Sequence, residues 1–476
     1  MAEFVTKRSV DYSEWYTDVI LKAELADYSP VKGCMVIRPY GYAIWENIQA
    51  VLDRKFKETG HSNAYFPLFI PYSFLQKEAE HVEGFAPEIA LVTHAGGKQL
   101  EEPLVVRPTS ETIMYAMYSK WIRSYRDLPV LINQWSNVVR WEMRTRLFLR
   151  TTEFLWQEGH TVHATYEEAE EETLKILYIY KNFIENYLAI PIIEGKKSDT
   201  ERFAGAKHTY AVEAMMGDKK ALQGGTSHNL GQNFSKAFDV KFQDKNGNWE
   251  FGWQTSWGVS TRLIGAIIMA HGDDNGLFIP PYIAPIQVVI VPIWQNDEQK
   301  TAILDLAYKL KNSILKDYRV TIDEREQYTP GYKFNDWELK GVPIRFEIGP
   351  KDMAKNQITI ATRFKQSKSP CTVDAIKPKL ESIIDEVQKQ LFTRAKIFRD
   401  ANTFIVDNYQ DFLSMIEEKG GFFHLHWCGK KECEDRFKND SKATIRCIPL
   451  DSSKEEGKCI ICSEPSPQRV LVARAY

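Results

Sequence analysis

The sequence predicts three structural units: a large α+β domain with an antiparallel sheet flanked by helices, an α/β domain, and a small α+β domain that binds metal. Three observations support this fold class. Strands in the first part follow one another without βαβ alternation, strands and helices alternate from Pro285, and four of the seven cysteines cluster near the end. Because 476 residues suffice for about three domains, we place the boundaries at 1–284, 285–400 and 401–476.

Composition and charge indicate a folded, soluble protein. Hydrophobic residues make up 43% and aromatic residues 12% of the chain, which allows packed cores and excludes a disordered protein. The formal net charge of -3 does not point to nucleic acid, so such a partner would need local basic patches. The N-terminal residues lack an apolar signal core, and "LIGAIIMA" is too short to cross a bilayer. We therefore expect a cytoplasmic protein without membrane contact.

The first unit contains clear helix and strand signals. Apolar residues at helical spacing predict one helix in "SVDYSEWYTDVILKAELADYS" and another in "GYAIWENIQAVLDRKFKETG", which ends near Gly60. The strand "NAYFPLFIP" follows, interrupted by prolines. Thr165 and Glu168 form the capping box of a later helix, and Asn246 and Gly247 form the turn of a hairpin. The apolar run "STRLIGAIIMAHG" is typical of a buried helix.

The second unit has a different pattern. The strand "APIQVVIVPIW" precedes the helix "DEQKTAILDLAYKLKNSILK", and the strands "YRVTID" and "VPIRFEIG" flank the helix "GYKFNDWELKG". This alternation predicts a mainly parallel sheet. A long helix, "PKLESIIDEVQKQLFTRAKIFRDA", then leads into the third unit.

The stretch "VVRWEMRTR", residues Val138–Arg146, suggests a ligand. Its valines predict a strand, in which Arg140, Glu142 and Arg144 share one face. Paired only with each other, these side chains would form a surface ion pair of little value. If they face a ligand, it needs an anionic end for the guanidinium and a hydrogen-bond donor for the carboxylate. ATP has both.

Two further stretches place polar residues where a helix begins. In "VVRPTSETIMY" an apolar strand ends at Arg107, and Thr109, Ser110 and Glu111 open a helix. These hydroxyls and this carboxylate either bind an ammonium group or merely cap the helix. In "QTSWGVSTRLIGA" Arg262 opens a buried helix, as an anion ligand or as a rim residue.

Together these stretches resemble the signature motifs of class II aminoacyl-tRNA synthetases. The corresponding segments are the helix from Gly41 with the strand containing Pro67, Arg140 and Glu142 with the strand through Phe154, and Gly258 to Arg262. "RPTSET", "RTTEFLWQEGH" and "QGGTSHNLGQNFSKAF" are similar to prolyl-tRNA synthetases of the archaeal and eukaryotic type. The resemblance runs essentially end to end and implies a homodimer.

The resemblance assigns roles in ATP binding and catalysis. Arg140 holds the substrate carboxylate and the α-phosphate, because its planar fork suits oxyanions. Glu142 accepts from the adenine amino group, and Phe154 stacks on adenine. Arg262 binds the γ-phosphate side, and Mg²⁺ neutralises phosphate charge. The other implied ATP contacts are Arg150, Thr151, Gln223, Thr226 and Ser260.

A proline pocket must combine acceptors for the cyclic amine with an apolar wall for the ring. Thr109, Glu111 and His228 suit the amine, although a lone histidine is often structural. By resemblance, Trp156, Glu158, His160 and Phe203 surround the ring. The implied reaction is attack of the proline carboxylate on the α-phosphate, followed by transfer of the prolyl group to the terminal 3′-OH of tRNA(Pro).

The second unit then becomes an anticodon-binding domain. In "RFEIGPKDM", Arg345, Glu347 and Lys351 lie at a strand end, where they can hydrogen-bond the edges of splayed bases. The alternative is an ordinary solvated rim of charged residues.

The late cysteines have the spacing of a zinc site. Seven cysteines, an odd number, argue against a disulfide framework. "CGKKEC" and "CIIC" give C-x4-C and C-x2-C, so Cys428, Cys433, Cys459 and Cys462 can provide four thiolates with no open coordination position. We therefore predict a structural Zn²⁺.

Two rival functions remain open from the residues alone. A catalytically inactive synthetase-like protein could bind RNA or regulate another enzyme, and an adenylating ligase could serve an acceptor other than tRNA. The first would be expected to lose its arginines or Glu111, and the second leaves the anticodon-like domain unused.

Two further expectations concern the length and the end of the chain. The segment between Glu142 and Arg262 is too short for an inserted editing domain. The final "RVLVARAY" is an alternating strand ending at Tyr476, which is either a sheet edge of the third unit or reaches the first unit.

Overall fold

The computed structural model describes residues 5–81, 89–364, 368–452 and 454–476. Its α-helices are, in chain order, α1 (Tyr12–Lys22), α2 (Pro39–Glu58), α3 (Tyr72–His81), α4 (Glu111–Trp121), α5 (Tyr166–Asn186), α6 (Asn233–Phe238), α7 (Arg262–His271), α8 (Asp297–Lys309), α9 (Pro330–Leu339), α10 (Pro350–Met353), α11 (Ile376–Ala401), α12 (Tyr409–Glu418) and α13 (Lys431–Ser441). Among these described residues, no helix is both long and apolar enough to span a bilayer.

The strands of the first unit are β1 (Ala26–Tyr28), β2 (Met35–Ile37), β3 (Ser62–Asn63), β4 (Phe69–Pro71), β5 (Ala90–Ala95), β6 (Lys98–Val106), β7 (Val130–Val139), β8 (Glu153–His163), β9 (Ile192–Lys196), β10 (His208–Met215), β11 (Ala221–Gly231), β12 (Lys241–Gln243), β13 (Trp249–Phe251) and β14 (Trp253–Ser260). Those that follow are β15 (Val288–Pro292), β16 (Val320–Ile322), β17 (Ile344–Ile348), β18 (Gln357–Thr362), β19 (Lys368–Thr372), β20 (Thr403–Ile405), β21 (Phe422–His426), β22 (Thr444–Pro449), β23 (Gly457–Lys458), β24 (Pro465–Ser466) and β25 (Arg469–Ala473).

The central sheet of the first unit is antiparallel, as predicted. Strands β9, β10, β11, β14, β8 and β7 lie side by side with antiparallel pairing throughout, and β3 adds a short parallel edge. Buried side chains of α1, α2, α5 and α7 form the core on this sheet, including Trp15, Phe56 and Tyr180. Thr165 and Glu168 form the predicted capping box of α5, and β12 and β13 form the predicted hairpin.

The central sheet continues into the C-terminal unit. Strand β22 pairs with β9 through Ile448–Lys196 and Pro449–Gly195, and β25, β21 and β20 extend the sheet beyond β22. Sequence patterns did not predict this connection, because the paired residues are about 250 positions apart. Backbone hydrogen bonds between β22 and β9 therefore connect the C-terminal unit to the strands next to the cavity described below.

The sheet of the second unit is mixed, so the prediction of a mainly parallel sheet is only half right. Its strand order is β16-β15-β17-β18-β19. Strands β16, β15 and β17 are parallel, whereas β18 and β19 are antiparallel additions. Only the short α10 lies between β17 and β18, which is too little chain for a parallel crossover.

Two predicted strands differ in the structure. The strand expected through Arg146 ends at Val139, and residues 140–152 form a loop before β8. Arg140, Glu142 and Arg144 are therefore loop residues and do not share a strand face. The loop forms because β8, the ladder partner of β7, begins only at Glu153, so later residues have no strand to pair with. The proline-interrupted strand likewise divides into the short β3 and β4.

Candidate active site

A cavity of about 250 Å³ lies over the central sheet, at the start of α4. All eight residues predicted to bind proline line it, together with two predicted ATP contacts, Gln223 and Thr226. The eight are Thr109, Glu111, Arg140, Trp156, Glu158, His160, Phe203 and His228. Three of them alternate along β8 and so face the same side of the sheet.

Two carboxylates and an imidazole form the floor of this cavity. Glu111, Glu158 and His160 are buried, and one ligand atom from each lies within 4.8 Å of the others. Nε2 of His160 lies 3.0 Å from Oε2 of Glu158. Thr109 donates to Glu111, and Ser110 donates both its backbone N–H and its hydroxyl to Glu158. Ser110 is the N-cap residue of α4, as the alternative expected, but its side chain makes no cap hydrogen bond and donates to Glu158 instead.

The charge of this floor follows from its hydrogen bonds. Burial alone would raise the pKa of Glu158, but hydrogen bonds from His160, Ser110 and Gln134 bring that pKa below its ordinary value. Burial alone would lower the pKa of His160, but Glu111 and Glu158 raise it above its ordinary value. Two carboxylates and one imidazolium leave a net negative charge, which suits a cationic amine.

The cavity has an aromatic side that carries no charge. The rings of Phe203 and His228 lie 4.8 Å apart. Burial, together with the charges of His160 and Lys197, lowers the pKa of His228 to about 3. His228 is therefore neutral at physiological pH and hydrogen-bonds Thr209 through Nδ1 at 2.9 Å. The Nε1 of Trp156 is buried and has no hydrogen-bond partner among the residues that the structure describes, so a ligand atom could accept from it.

Three arginines form a positive region beside the cavity. Arg140 donates from Nε to the carbonyl of Pro108 at 2.9 Å, and its guanidinium lies 5.1 Å from the Trp156 ring centroid and 5.6 Å from that of Phe154. Arg262 donates to the carbonyl of Leu149 in the 140–152 loop. Desolvation lowers the pKa of Arg262, and the charges of Arg140 and Arg150 lower it further. Such a group of mutually repelling cations favours a polyanionic ligand.

The remaining predicted ATP residues surround this region without lining the cavity. Glu142 pairs with Arg150 at 2.8 Å, which fixes two loop residues against each other. Ser260 lies opposite Trp156 in the β14–β8 ladder. The hydroxyl of buried Thr151 donates to the carbonyl of Glu153, so this side chain is already committed within the protein.

Five lining residues were not predicted, namely Lys197, Glu201, Thr209, Ser256 and Trp257, whereas Gly258 belongs to the predicted third motif segment. Lys197 follows β9 and Thr209 lies in β10, and neither strand carries a recognisable motif. Alternation along β14 could have placed Ser256 on the same face as Gly258 and Ser260.

A larger cleft, of about 330 Å³, lies between α1 and α9. Its charged walls are already paired, as in Arg325 with Asp336 at 2.7 Å and Lys340 with Glu24 at 2.8 Å. Despite its size, this cleft is less suited to chemistry than the cavity over the central sheet.

The C-terminal tail reaches the first unit. The backbone N–H of Tyr476 donates to the carbonyl of Ala221 in β11, and its hydroxyl donates to Asp218 at 2.6 Å. Its ring centroid lies 5.6 Å from the guanidinium of Arg146 in the 140–152 loop. The interpretation as only a sheet edge of the third unit is therefore wrong.

In the second unit the structure brings together two of three predicted residues. Arg345 donates to Glu347 at 2.9 Å, and Lys368 reaches the same carboxylate at 2.7 Å. The guanidinium of Arg345 lies 4.0 Å from the ring centroid of Phe334. Lys351 lies apart from them at an exposed position in α10. A cavity of about 150 Å³ is lined by Arg345 and Lys368.

The four predicted cysteine ligands meet in one place. The sulfurs of Cys428, Cys433, Cys459 and Cys462 all lie within 4.8 Å of one another, with 3.7 Å between Cys428 and Cys433. Thiolates at about 2.3 Å from a tetrahedral ion would have similar spacing. Burial raises the pKa of Cys428 and Cys433, whereas backbone N–H groups overcome the effect of burial at Cys459 and lower its pKa. The donor set therefore fits a zinc ion.

Three protein families match successive parts of the chain. The family "tRNA synthetase class II core domain (G, H, P, S and T)" matches residues 93–271, and "Anticodon binding domain" matches residues 287–390. "Prolyl-tRNA synthetase, C-terminal" matches residues 409–476.

Full-length relatives and a solved structure agree with these families. The proline--tRNA ligase of Chloroherpeton thalassium is 56% identical over 485 residues, covering 100% of both chains. That of Porphyromonas gingivalis is 56% identical over 487 residues, covering 99% of both. The prolyl-tRNA synthetase from Cryptosporidium parvum, solved with halofuginone and AMPPNP, superposes with a TM-score of 0.93 at 41% identity, covering 99% of this chain and 97% of that one.

Proposed function

The chain belongs to the prolyl-tRNA synthetases, and from this premise we propose how its residues activate proline and recognise tRNA. It is a proline--tRNA ligase of class II, which uses ATP to form prolyl-adenylate from L-proline and transfers the prolyl group to the 3′ end of tRNA(Pro). The relatives compared above carry the ligase name, so the inactive alternative has no support.

We assign the proline site to the cavity over the central sheet. The observation that carries this assignment is that all eight residues expected around proline line that one cavity. The net negative floor of Glu111, Glu158 and His160 would hold the cationic amine, and Trp156, Phe203 and neutral His228 would enclose the apolar ring. The proline carboxylate would then point towards Arg140.

ATP, carried as its Mg²⁺ complex, would occupy the positive region formed by Arg140, Arg150 and Arg262. Phe154 would stack on adenine, and Glu142 would accept from the adenine amino group while remaining paired with Arg150. Gln223, Thr226, Ser260 and the backbone near Thr151 complete this half of the site. The neutralised phosphates would lie within reach of Arg140.

The reaction needs positioning and charge stabilisation more than covalent chemistry by the protein. A proline carboxylate oxygen attacks the α-phosphorus, the bond from that phosphorus to the bridging oxygen breaks, and pyrophosphate leaves. Arg140 holds nucleophile and electrophile together. The tRNA 3′-OH then attacks the prolyl carbonyl, the hydroxyl proton is lost, and AMP leaves.

The second unit would read the anticodon. Arg345 and Glu347 are paired at a strand end, and Phe334 under Arg345 offers a ring on which a base can stack. Exposed Lys351 is better placed for the tRNA backbone than for a base edge. We retain 1–284, 285–400 and 401–476 as the catalytic, anticodon-binding and zinc-binding units.

A second copy of the chain would complete the enzyme. Large apolar side chains are exposed on and beside the segments matching the first class II motif, namely Tyr28, Val36, Tyr42, Tyr65, Phe69 and Leu91. Burying such side chains is favourable, so we propose a homodimer through this surface. The cysteines of the described residues are unpaired, which suits the reducing cytoplasm that we propose as its location.

The assigned pocket should discriminate poorly against small amino acids. Losing a methylene contact costs only about 1–3 kcal/mol, so we predict detectable activation of alanine and cysteine. Strands β8 to β14 and helices α5 and α6 account for the chain between Glu153 and Ser260, which leaves no segment for editing. Rapid deacylation of alanyl-tRNA(Pro) by the purified enzyme would contradict this prediction.

The assignment is tested by proline-dependent exchange of pyrophosphate into ATP, measured with and without tRNA. Proline should stimulate exchange in both cases, because the adenylation site is complete without tRNA. No stimulation by proline in either case would refute the site assignment.

A further inference from the structure

A buried ionic triad connects the C-terminal unit to the catalytic cavity. It consists of Lys197, Glu213 and Arg446, which are 4%, 0% and 8% exposed. Arg446 lies in β22 of the C-terminal unit, Glu213 in the neighbouring β10, and Lys197 directly after β9. Lys197 also lines the cavity. None of these three residues was predicted from the sequence as a site residue.

The triad is held by well-formed hydrogen bonds. The Arg446 guanidinium donates to both carboxylate oxygens of Glu213, from Nε to Oε2 at 3.2 Å and from Nη2 to Oε1 at 3.1 Å. Nζ of Lys197 donates to Oε1 of Glu213 at 2.7 Å and to the backbone carbonyl of Arg446 at 2.7 Å. Lys197 is therefore fixed by both the side chain of Glu213 and the backbone of the C-terminal unit.

We propose that Arg446 is a positioning residue for ATP, acting through Glu213 and Lys197. This inference rests on the assignment of the cavity and its arginines as the proline and ATP site. Two cations and one carboxylate give the buried triad a net charge of +1. Glu213 lies opposite Gln223, a predicted ATP contact, in the β10–β11 ladder, and Lys197 lines the same cavity as Gln223, so the C-terminal unit supplies a positive charge next to the ATP side of the site.

The electrostatic reach of the triad supports this role. Desolvation lowers the pKa of Arg262, the charges of Arg140 and Arg150 lower it further, and that of Glu213 opposes them. The charge of Arg446 also lowers the pKa of Arg262, so both Glu213 and Arg446 interact electrostatically with Arg262. Without Arg446, the Glu213 carboxylate would be less compensated, attract Arg262 and repel the triphosphate.

ATP and proline differ in net charge, so the triad should affect their binding differently. The Mg²⁺ complex of ATP is a net anion, whereas proline is a zwitterion without net charge. Removing one buried positive charge should therefore affect the KM for ATP more than the KM for proline. If Arg446 had only a structural role, its removal would change thermal stability or kcat, and the KM for ATP would not rise more than the KM for proline.

The experiment compares charge states of the triad in the full-length enzyme, using pyrophosphate exchange. Arg446→Met lowers the net charge to zero and should raise the KM for ATP about tenfold, equivalent to roughly 1.4 kcal/mol. The KM for proline should change less than about threefold. Combining Arg446→Met with Glu213→Gln restores a net charge of +1, and the KM for ATP should return to within about threefold of wild type. Arg446→Lys should also keep the KM for ATP low.

Arg469→Met is the matched control. Arg469 also lies in the C-terminal unit and makes a bidentate pair with Glu455 at 2.9 Å, and its other ion-pair partner, Asp407, belongs to the same unit. This variant should leave both KM values unchanged. If Arg446→Met does not fold, the double variant decides alone: a KM for ATP near wild type supports the proposal, and a raised one overturns it.

The outcomes separate this inference from the proposed function. If wild type and Arg469→Met exchange normally and Arg446→Met keeps its KM for ATP, the inference fails while the site assignment stands. A raised KM that the double variant does not reverse also overturns it. Absence of proline-dependent exchange in wild type would refute the site assignment, and this inference with it.

Discussion

Two clusters of acidic or thiol groups in this enzyme could each hold a cation, yet they are built differently. Glu111, Glu158 and His160 lie at the floor of an open cavity, whereas Cys428, Cys433, Cys459 and Cys462 form a compact group in the C-terminal unit. The first cluster carries its own imidazolium and accepts hydrogen bonds from surrounding hydroxyl and amide groups. The second consists of like donors that mainly face one another.

This difference indicates what each cluster binds. A cluster whose carboxylates are already hydrogen-bonded can remain stable without ligand, so it suits an organic cation that arrives and leaves in each catalytic cycle. Four thiols that would repel one another as thiolates need a permanent cation. We therefore assign a transient amine to the first cluster and a structural zinc ion to the second.

We call Glu111, Glu158 and His160 the open cluster and the four cysteines the closed cluster. The largest expected effect follows from removing Arg140, which lines the same cavity as the open cluster. Arg140→Ala should lower proline-dependent pyrophosphate exchange at least about 100- to 1000-fold, because it removes charge stabilisation at the transferring phosphoryl group. Stability should change little, since the Arg140 side chain is exposed and, within the described part of the chain, donates one hydrogen bond, to the Pro108 carbonyl. Arg144→Ala, in the same loop at another exposed position, is the control and should keep its activity. Near-normal exchange in Arg140→Ala would contradict the site assignment.

Glu111→Gln tests the open cluster itself. The change removes the carboxylate that would pair with the amine of proline, and losing one partner of a buried charge pair costs about 2–5 kcal/mol. We expect kcat/KM for proline to fall at least about 30-fold. The zinc content should remain that of wild type. A parallel loss of zinc would mean that the two clusters are not independent.

Cys459→Ser tests the closed cluster. Without a fourth thiolate the zinc ion should be lost and the C-terminal unit should unfold, as seen by limited proteolysis and a lower melting temperature. The KM for ATP should rise by about the same factor as in Arg446→Met, because β22 carries Arg446. Cys371→Ser, a buried cysteine of the second unit, is the control for losing a thiol. Tightly bound zinc in Cys459→Ser would refute the ligand assignment.

The smallest effect concerns pH. The pKa of His160 is raised in the folded enzyme by Glu111 and Glu158, so its charged form stabilises the fold. This contribution is fully present below the unfolded pKa of about 6.5 and is lost as pH rises through the higher folded pKa. The melting-temperature difference between wild type and His160→Asn should therefore be larger at low pH and shrink as pH rises. A difference that grows with pH would contradict the charged state assigned to His160.

The two clusters also differ in how far sequence alone predicts them. The cysteine spacing defines the closed cluster, because two short motifs contain every ligand. The capping box at Thr165 and the hairpin at Asn246 were predicted for the same reason: their determinants are local. For the cavity that holds the open cluster, the family resemblance identified the residues around the proline ring. Alternation along β8 explains why Trp156, Glu158 and His160 share one face.

Other features depend on contacts between distant parts of the chain. The predicted strand through Arg140 was wrong because a strand needs a partner, and β8 begins only at Glu153. Lys197 and Arg446 are 249 positions apart, and neither lies in a recognisable motif. The pairing of β9 with β22, which brings them together, leaves no local pattern.

Elemental analysis that counts metal ions per chain in wild type, Glu111→Gln and Cys459→Ser tests most directly which cluster binds metal and which binds the amine. We predict one zinc per chain in wild type, the same amount in Glu111→Gln, and none in Cys459→Ser. A wild-type protein that is folded without zinc, or a metal ion that disappears with the Glu111 carboxylate, would contradict the division of the two clusters between metal and amine.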